Sequence, residues 1–460
     1  MSTKHSIAAE KFLENKDQAQ WHNETLWLVR SKRDNLSKQI PEWEQLRDKA
    51  QAIKRYTNSH LDELLVQFEE NATQNGAIVH WAKDDEEYRS IVYGILKEHN
   101  VTKFVKSKSM LAEECELNPF LISKGIDVVE TDLGERILQL MNLPPSHIVL
   151  PAIHIKREEV GKQFEKDLGT EKGNSDPTYL THAARKSLRD KFLHAEASMT
   201  GANFVVASTG DIVVCTNEGN ADMGTSCPKL NIAAFGLEKI VPNLESLGVF
   251  TRLLARSATG QPITSYTSHY RKPREGGEYH IIIVDNGRSK MLADKDHVDL
   301  LNCLRCAACM NTCPVYRRSG GYSYTYFIPG PIGVNLSMAK DSAKYYDNVS
   351  ACSLCLSCSN VCPAKIDLGE QIYKWRQTLD SIGKASSSKK VISKGLQYVI
   401  ERPKLFNTAL KFAPIVNSLP RFMKYNGLND WGKGRELPEF AKESFNTLWK
   451  KNKVQKEVRK

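Results

Sequence analysis

The sequence predicts an α/β domain built on a largely parallel sheet, then a cysteine-rich domain, then a basic C-terminal extension. Three observations carry this. Between about residues 76 and 290, short apolar runs alternate with helix-like stretches, the pattern of strand–helix–strand units. Eight of the eleven cysteines fall between Cys303 and Cys362. From Lys384 onward there are 18 Lys and Arg against 6 Asp and Glu, a larger excess than the +10 of the whole chain.

A chain of 460 residues exceeds one ordinary core, so two or three domains are expected. The 41% hydrophobic and 26% charged content argue against general disorder or a fibrous repeat. The opening MSTKHSIAAEKFLENKDQ lacks the apolar core of a signal peptide. No run of about 18 uncharged apolar residues suggests a membrane span. A soluble, cytoplasmic protein is expected. In a reducing compartment, an odd number of cysteines points to metal ligation rather than disulfides. The scattered Cys115, Cys215 and Cys227 read as small buried side chains. Because the charge belongs to the tail and no recognition module accompanies it, nucleic-acid binding is disfavoured.

Four segments are expected. Residues 1–75 read as helices, one opening near Pro41 with acids in its first turn, and Asn75-Gly76 reads as a turn. Residues 76–290 form the α/β domain, with strands at Ala77–Trp81, Thr102–Val105, Ile126–Glu130, His147–Leu150, Asn203–Ala207, Ile212–Thr216 and Leu230–Phe235. The run YHIIIV at Tyr279–Val284 suits a buried central strand. A helix is expected after Asp84, with Glu87 completing a capping box, another at Asn118-Pro119, and a long one over Asp176–Met199. Residues 291–383 form the cysteine domain. Residues 384–460 read as short helices and loops.

The first cysteine run is Cys303, Cys306, Cys309 and Cys313, followed by Pro314. The second is Cys352, Cys355, Cys358 and Cys362, followed by Pro363. Both have the spacing C-x2-C-x2-C-x3-C-P, which two-cluster ferredoxins use for [4Fe–4S] clusters. Two-residue gaps let three thiolates curl around one face of a cluster, and the wider gap turns the fourth sulphur toward the other cluster. One cluster is therefore assigned Cys303, Cys306, Cys309 and Cys362, and the other Cys352, Cys355, Cys358 and Cys313. Zinc sites more often present ligands in separated pairs. Arg305 and Lys365 flank the runs and could stabilise reduced clusters, or could be solvated cations. Between the runs, Gly320-Gly321-Tyr322 and Pro329-Gly330-Pro331-Ile332-Gly333 could bring backbone N–H groups to a cluster, or form a plain surface loop.

The stretch from Cys303 to Gly333, with CPVYRRSGGYSYTYFIPGPIG, resembles the lactate-utilisation protein B family. So do MTGANF from Met199, TNEGN from Thr216, GLEKIVP from Gly236, LARSATG from Leu254 and VDNGRS from Val284. The resemblance implies a lactate-utilisation domain similar to ribose-isomerase and CoA-transferase folds, then an α-helical two-cluster ferredoxin domain. It implies two [4Fe–4S] clusters and work beside two other lactate-utilisation proteins in oxidising L-lactate to pyruvate. This chain would be the electron-transfer component of that NAD-independent system. Ala307 and Ala308 stand where the family usually has glycine, Leu356-Ser357 replaces a Gly-Ala pair, and Ala364 replaces a common valine.

Two further readings stay open: an oxidoreductase whose own α/β domain converts the substrate, and a redox-sensing or structural cluster protein. Glu196, Asn217, Glu218 and Asn220 lie near expected strand ends and are pocket candidates, since ligands bind there in α/β sheets. The same residues suit turns. His147 and His154 flank Pro151 without a third catalytic group and read as structural. No phosphate-binding P-loop, zinc-protease helix or serine nucleophile elbow is present. Trp431, Phe440, Phe445 and Trp449 among the tail's lysines suit partner docking or a peripheral membrane contact.

Overall fold

The apolar runs of the α/β region assemble into a six-stranded sheet and a smaller one. The structure is a computed structural model that describes residues 4–384, 387–425 and 438–451. In chain order the strands are β1 (Ile78–Ala82), β2 (Lys103–Lys106), β3 (Asp127–Glu130), β4 (Ala197–Gly201), β5 (Phe204–Val206), β6 (Asp211–Thr216), β7 (Leu230–Gly236), β8 (Ile240–Val241), β9 (Tyr266–Tyr270) and β10 (Glu278–Val284). The large sheet runs β1-β10-β7-β4-β2-β3, parallel throughout. The small sheet runs β8-β5-β6-β9, with β6 antiparallel to both neighbours.

The YHIIIV run is interior, as its continuous hydrophobicity predicts. Ile282 and Val284 join a core beneath the helix Asp85–Glu98, with Tyr88, Val92 and Leu96. Ile281 and Ile283 point the other way, to Phe68 and Leu65 of the helix Leu61–Gln74. Both faces are covered, so alternation in polarity disappears. The helix after Asp84 starts as expected: Asp84 accepts from the Glu87 N–H at 2.9 Å, and Glu87 accepts from the Lys83 N–H at 2.7 Å.

Two expectations fail. His147–Leu150 is not a strand, because His147 Nδ1 accepts the N–H groups of Val149 and Leu150 at 3.1 and 2.9 Å. A side chain has taken the donors that a ladder would need. The long helix ends at Leu193, and Ala197–Gly201 is instead the interior strand β4. Its small residues carry little strand propensity; burial between β7 and β2 decides its state. Strands β8 and β9 also went unforeseen.

The region between the cysteine runs is helical and internal rather than a surface loop. In the helix Gly330–Lys340, every residue from Gly330 to Met338 is buried. Helices Lys16–Lys38 and Trp43–Ser59 pack on the cysteine domain through Arg33 and Arg47. Residues 1–379 form one unit and 380–460 a second. The second contains helices Ser387–Ile400, Pro403–Phe412, Arg421–Lys424 and Phe445–Lys450. Val391, Phe422 and Phe445 are among its exposed apolar side chains, as are Phe440 and Trp449. Trp431 lies outside the described residues. Among the described residues no helix is long and apolar enough to cross a membrane.

Candidate metal centre and adjoining cavity

Each cysteine run folds into an irregular loop that leads into a one-turn helix, Ala308–Thr312 in the first and Ser357–Val361 in the second. The loops repeat one backbone device. Arg305 and Ala307 have φ of 59° and 62°; Leu354 and Leu356, at the same places in the second run, have 54° and 59°. Left-handed backbone is costly for residues with a Cβ, so its appearance twice at matched positions marks a conformation set by the spacing of the thiols. Glycine would adopt this backbone without that cost, which is the penalty borne by Ala307 and Leu356.

The thiols fall into two groups. Cys306 lies within electrostatic reach of Cys303 and Cys362, and Cys309 within reach of Cys303, Cys306 and Cys362 and also of Cys358 in the second group. Cys313 lies instead beside Cys352 and Cys355, and Cys358 beside Cys313 and Cys352. A small cavity is lined by Cys303, Cys306, Cys309 and Cys362 together with Ile332 and Pro363. None of the eleven cysteines is in a disulfide. Among the described residues no three His, Cys, Asp or Glu are grouped to hold a single metal ion. Backbone amides already point at sulphur: Arg305 N–H at Cys303 (3.4 Å), Leu354 N–H at Cys352 (3.3 Å) and Tyr316 N–H at Cys313 (3.5 Å). Donor softness, loop repetition and amide donors all fit iron–sulphur clusters.

Burial pushes the Cys306 and Cys358 thiols up to about 12 and those of Cys313 and Cys362 up to about 11, against amide donors that pull them down. Such thiols ionise when a cation replaces the proton. The two groups differ in access at one thiol: Cys355 is exposed, whereas the other seven are buried or partly buried.

Residues far away in sequence hold the loops. Arg47 donates to the Cys362 carbonyl through Nε at 3.0 Å and Nη2 at 2.9 Å. Arg33 donates to the Val361 carbonyl at 3.0 Å. Arg376 donates to the Val349 and Cys352 carbonyls at 2.9 and 2.6 Å. Nothing in local spacing announces these clamps. Arg305 is not a solvated cation: its side chain is 9% exposed and lies 3.5 Å from Glu238. Lys365 is half-buried and pairs with Asp48 and Glu44.

A cavity of about 250 Å³ opens at the carboxyl ends of β2, β4 and β7 and reaches the first cysteine loop at Arg305. Asn217, Glu218 and Asn220 line it, as expected of strand-end residues. Glu196 does not. It sits at the opposite, amino ends of β2 and β4, where its carboxylate accepts the N–H groups of Thr102 and Lys103. Sequence reading missed the charged floor of this cavity. The one-turn helix Leu237–Lys239 carries Glu238 and Lys239 straight off β7. Arg288 grips both Glu114 oxygens at 3.0 and 2.9 Å and also holds Glu238. Gly236 is required because any Cβ there would collide with the Arg288 guanidinium. Burial opposes ionisation of Glu238, but Arg288 and Arg305 hold it well below the usual carboxylate range. Burial lowers Lys239 to about 8. Of the scattered cysteines, Cys115 is buried, and Cys215, which lines the cavity, and Cys227 are partly so.

Comparison with known proteins places these parts in a family. The LUD domain matches residues 65–291 and the 4Fe-4S dicluster domain residues 299–366. A "Lactate utilization protein B" from Bacillus cytotoxicus is 41% identical over 90% of this chain and 90% of its own. The chain belongs to the lactate utilization protein B family. Another family member, from Geobacillus thermodenitrificans, is 43% identical over 83% of this chain and 82% of its own. An "Uncharacterized electron transport protein YkgF" from Escherichia coli is 39% identical over 93% and 92%. A DUF162 family protein of known structure from Deinococcus radiodurans matches 49% of this chain and 98% of its own at 14% identity and a TM-score of 0.29, too remote to bear on the fold. In family terms the molecule is an α/β LUD domain followed by a dicluster ferredoxin domain, and the latter supports iron–sulphur clusters.

Proposed function

We propose that this chain relays electrons in the oxidation of L-lactate to pyruvate, working beside two other lactate-utilisation proteins. One cluster would be held by Cys303, Cys306, Cys309 and Cys362, the other by Cys352, Cys355, Cys358 and Cys313. The observation that carries the reading is the sorting of the thiols, with Cys362 among the first run and Cys313 among the second. Names of the relatives support the pathway. Conversion of a hydroxy acid to an oxo acid releases two electrons and two protons, and a pair of [4Fe–4S] clusters supplies two one-electron acceptors.

The protein's own residues keep the loops rigid and set the fields around them. Arg47 and Arg376 fix the carbonyls at Cys362 and Cys352. Arg305 places a buried cation by Cys303, which favours the more negative reduced state. Exposure at Cys355 makes the second run the side for exchange with a partner. The exposed apolar side chains of Val391, Phe422 and Phe445, with the exposed Lys394, Lys404 and Lys411, suit docking of such a partner.

Anaerobic purification, iron analysis and EPR after dithionite reduction test the reading. About eight irons per chain and two interacting signals are expected; about four irons, or zinc, would overturn it. The cavity beside the first run favours a second reading, in which the α/β domain itself turns over the substrate. Lactate-dependent dye reduction by the purified chain without partners would favour that reading over the relay.

A further inference from the structure

We propose that the cavity at the carboxyl ends of the sheet is a binding site for a small carboxylate, with Lys239 and Arg305 as its anion contacts. The site stands on geometry; only the choice of L-lactate and pyruvate as probes rests on the function proposed above.

Size limits the occupant. At about 250 Å³ the cavity lies below the range of roughly 300–1,000 Å³ that holds drug-sized ligands. A dinucleotide or flavin nucleotide is too large, whereas a short-chain acid fits with room for water.

Charge selects its chemistry. Four carboxylates line the cavity, Glu114, Asp132, Glu218 and Glu238, with four cations, Lys108, Lys239, Arg288 and Arg305, so pairing decides rather than net charge. Asp132 takes the Glu135 N–H and Glu218 the Thr216 hydroxyl, and Lys54 stands behind Glu238. Arg288 is spent on Glu114 and Glu238. Lys54 is spent on the Glu238 carbonyl. Arg305 has only its 3.5 Å approach to Glu238, and its buried Nη1 has no partner. Lys239 has no hydrogen bond or ion pair with any described residue. Buried cations without anions are costly. Glu238 and the Cys303 sulphur lie within electrostatic reach of both, yet Lys239 and Arg305 border the cavity without a close hydrogen-bonded anion, and Cys303 does not border it.

The remaining walls suit an organic acid rather than an inorganic anion. Val214, Leu254 and Ala258 give an apolar side for a short carbon chain, and Asn217 and Thr264 stand near the mouth. A guanidinium edge and an ammonium together match a carboxylate. The acid would thus sit against the loop that carries Cys303 and Cys306, on the side where Arg305 separates cavity from thiols.

Calorimetric titration of the cluster-loaded, full-length chain with L-lactate, pyruvate and inorganic phosphate tests this. Saturable binding of at least one acid, tighter than phosphate, is expected. Lys239→Gln should weaken it about ten-fold, the loss of one charge-assisted contact. Thr264→Trp, which fills the mouth without touching a cation, should abolish it. Iron content and EPR signals should stay those of the wild type in both variants. The inference is overturned if neither acid saturates the wild type, if phosphate binds as well as the acids, or if both variants bind like the wild type. Acid binding to a chain whose clusters cannot be reduced would sink the relay and leave the site standing. Normal cluster reduction with no acid binding would do the reverse.

Discussion

His147 and Asn311 are joined by a hydrogen bond of 2.9 Å that ties the segment His147–Leu150 of the α/β region to the helix Ala308–Thr312 of the first cysteine run. Asn311 also donates to the Ala258 carbonyl at 3.1 Å, so its Oδ1 is left to accept from His147 Nε2–H. The tautomer follows, because Nδ1 accepts the Val149 and Leu150 N–H groups. His147→Phe would leave those donors and the Asn311 oxygen without partners in a buried place. A loss of about 3 kcal/mol in stability is expected, visible as a lower Tm of the cluster-loaded chain.

The same histidine sets an acid limit. Burial lowers His147 to about 3, against the hydrogen bond to Asn311 that raises it. The folded group stays neutral while the unfolded one takes a proton below its ordinary value of 6.5. Its contribution to stability is full above that value and is lost as pH falls from there toward 3. Urea unfolding followed between pH 7.5 and 5 should show the wild type weakening faster than His147→Phe.

On the proposed ligand sets, Arg305 sets a field at one cluster only. Arg305→Gln should lower the potential of the first cluster by about 40 mV, the one-electron equivalent of roughly 1 kcal/mol. The second cluster, whose run lies by Arg376, should shift far less. A redox titration read by EPR checks both, and equal shifts would count against the assignment.

Ligand crossing has its own test. Cys362→Ser should disturb the same EPR signal as Cys303→Ser, and Cys313→Ser the same signal as Cys355→Ser. Pairing of Cys362 with the Cys355 signal would refute it.

The two left-handed alanine and leucine positions should respond differently to glycine. Leu356 is 47% exposed, so Leu356→Gly relieves about 1 kcal/mol of backbone strain at little cost in burial. Ala307 is 2% exposed, and losing its methyl costs about 0.8 kcal/mol, which offsets the gain. Thermal unfolding of the two variants measures the contrast.

What was legible in the sequence follows from the range of the forces involved. The thiol spacing is local, so the runs could be read outright; YHIIIV could too, because burial on both faces writes itself into composition. Strand β4 was hidden, since ASMTG gains its state from β7 and β2 rather than from its own residues. His147–Leu150 misled because an imidazole competes for backbone donors. At the cavity, Asn217, Glu218 and Asn220 were reachable from strand-end logic. Glu196 was not separable from them, because the helix expected over Asp176–Met199 hid that it directly precedes β4 and so stands at its amino end. Glu238, Arg288 and Arg305 come from three distant stretches and meet only in the fold; the tight Gly236 before Glu238 was the one local hint.

The guanidinium clamps of Arg33 and Arg47 have a consequence for how the molecule is divided. Cys362 reaches the first run across a chain segment whose carbonyls are tied down by helices from the far N-terminus. A fragment cut to residues 291–383 would keep all eight thiols of the two runs yet lose the hands that hold the crossing stretch of backbone. The cysteine region is therefore contiguous in sequence without being excisable as a cassette, and inheritance of its redox properties requires the first sixty residues to travel with it.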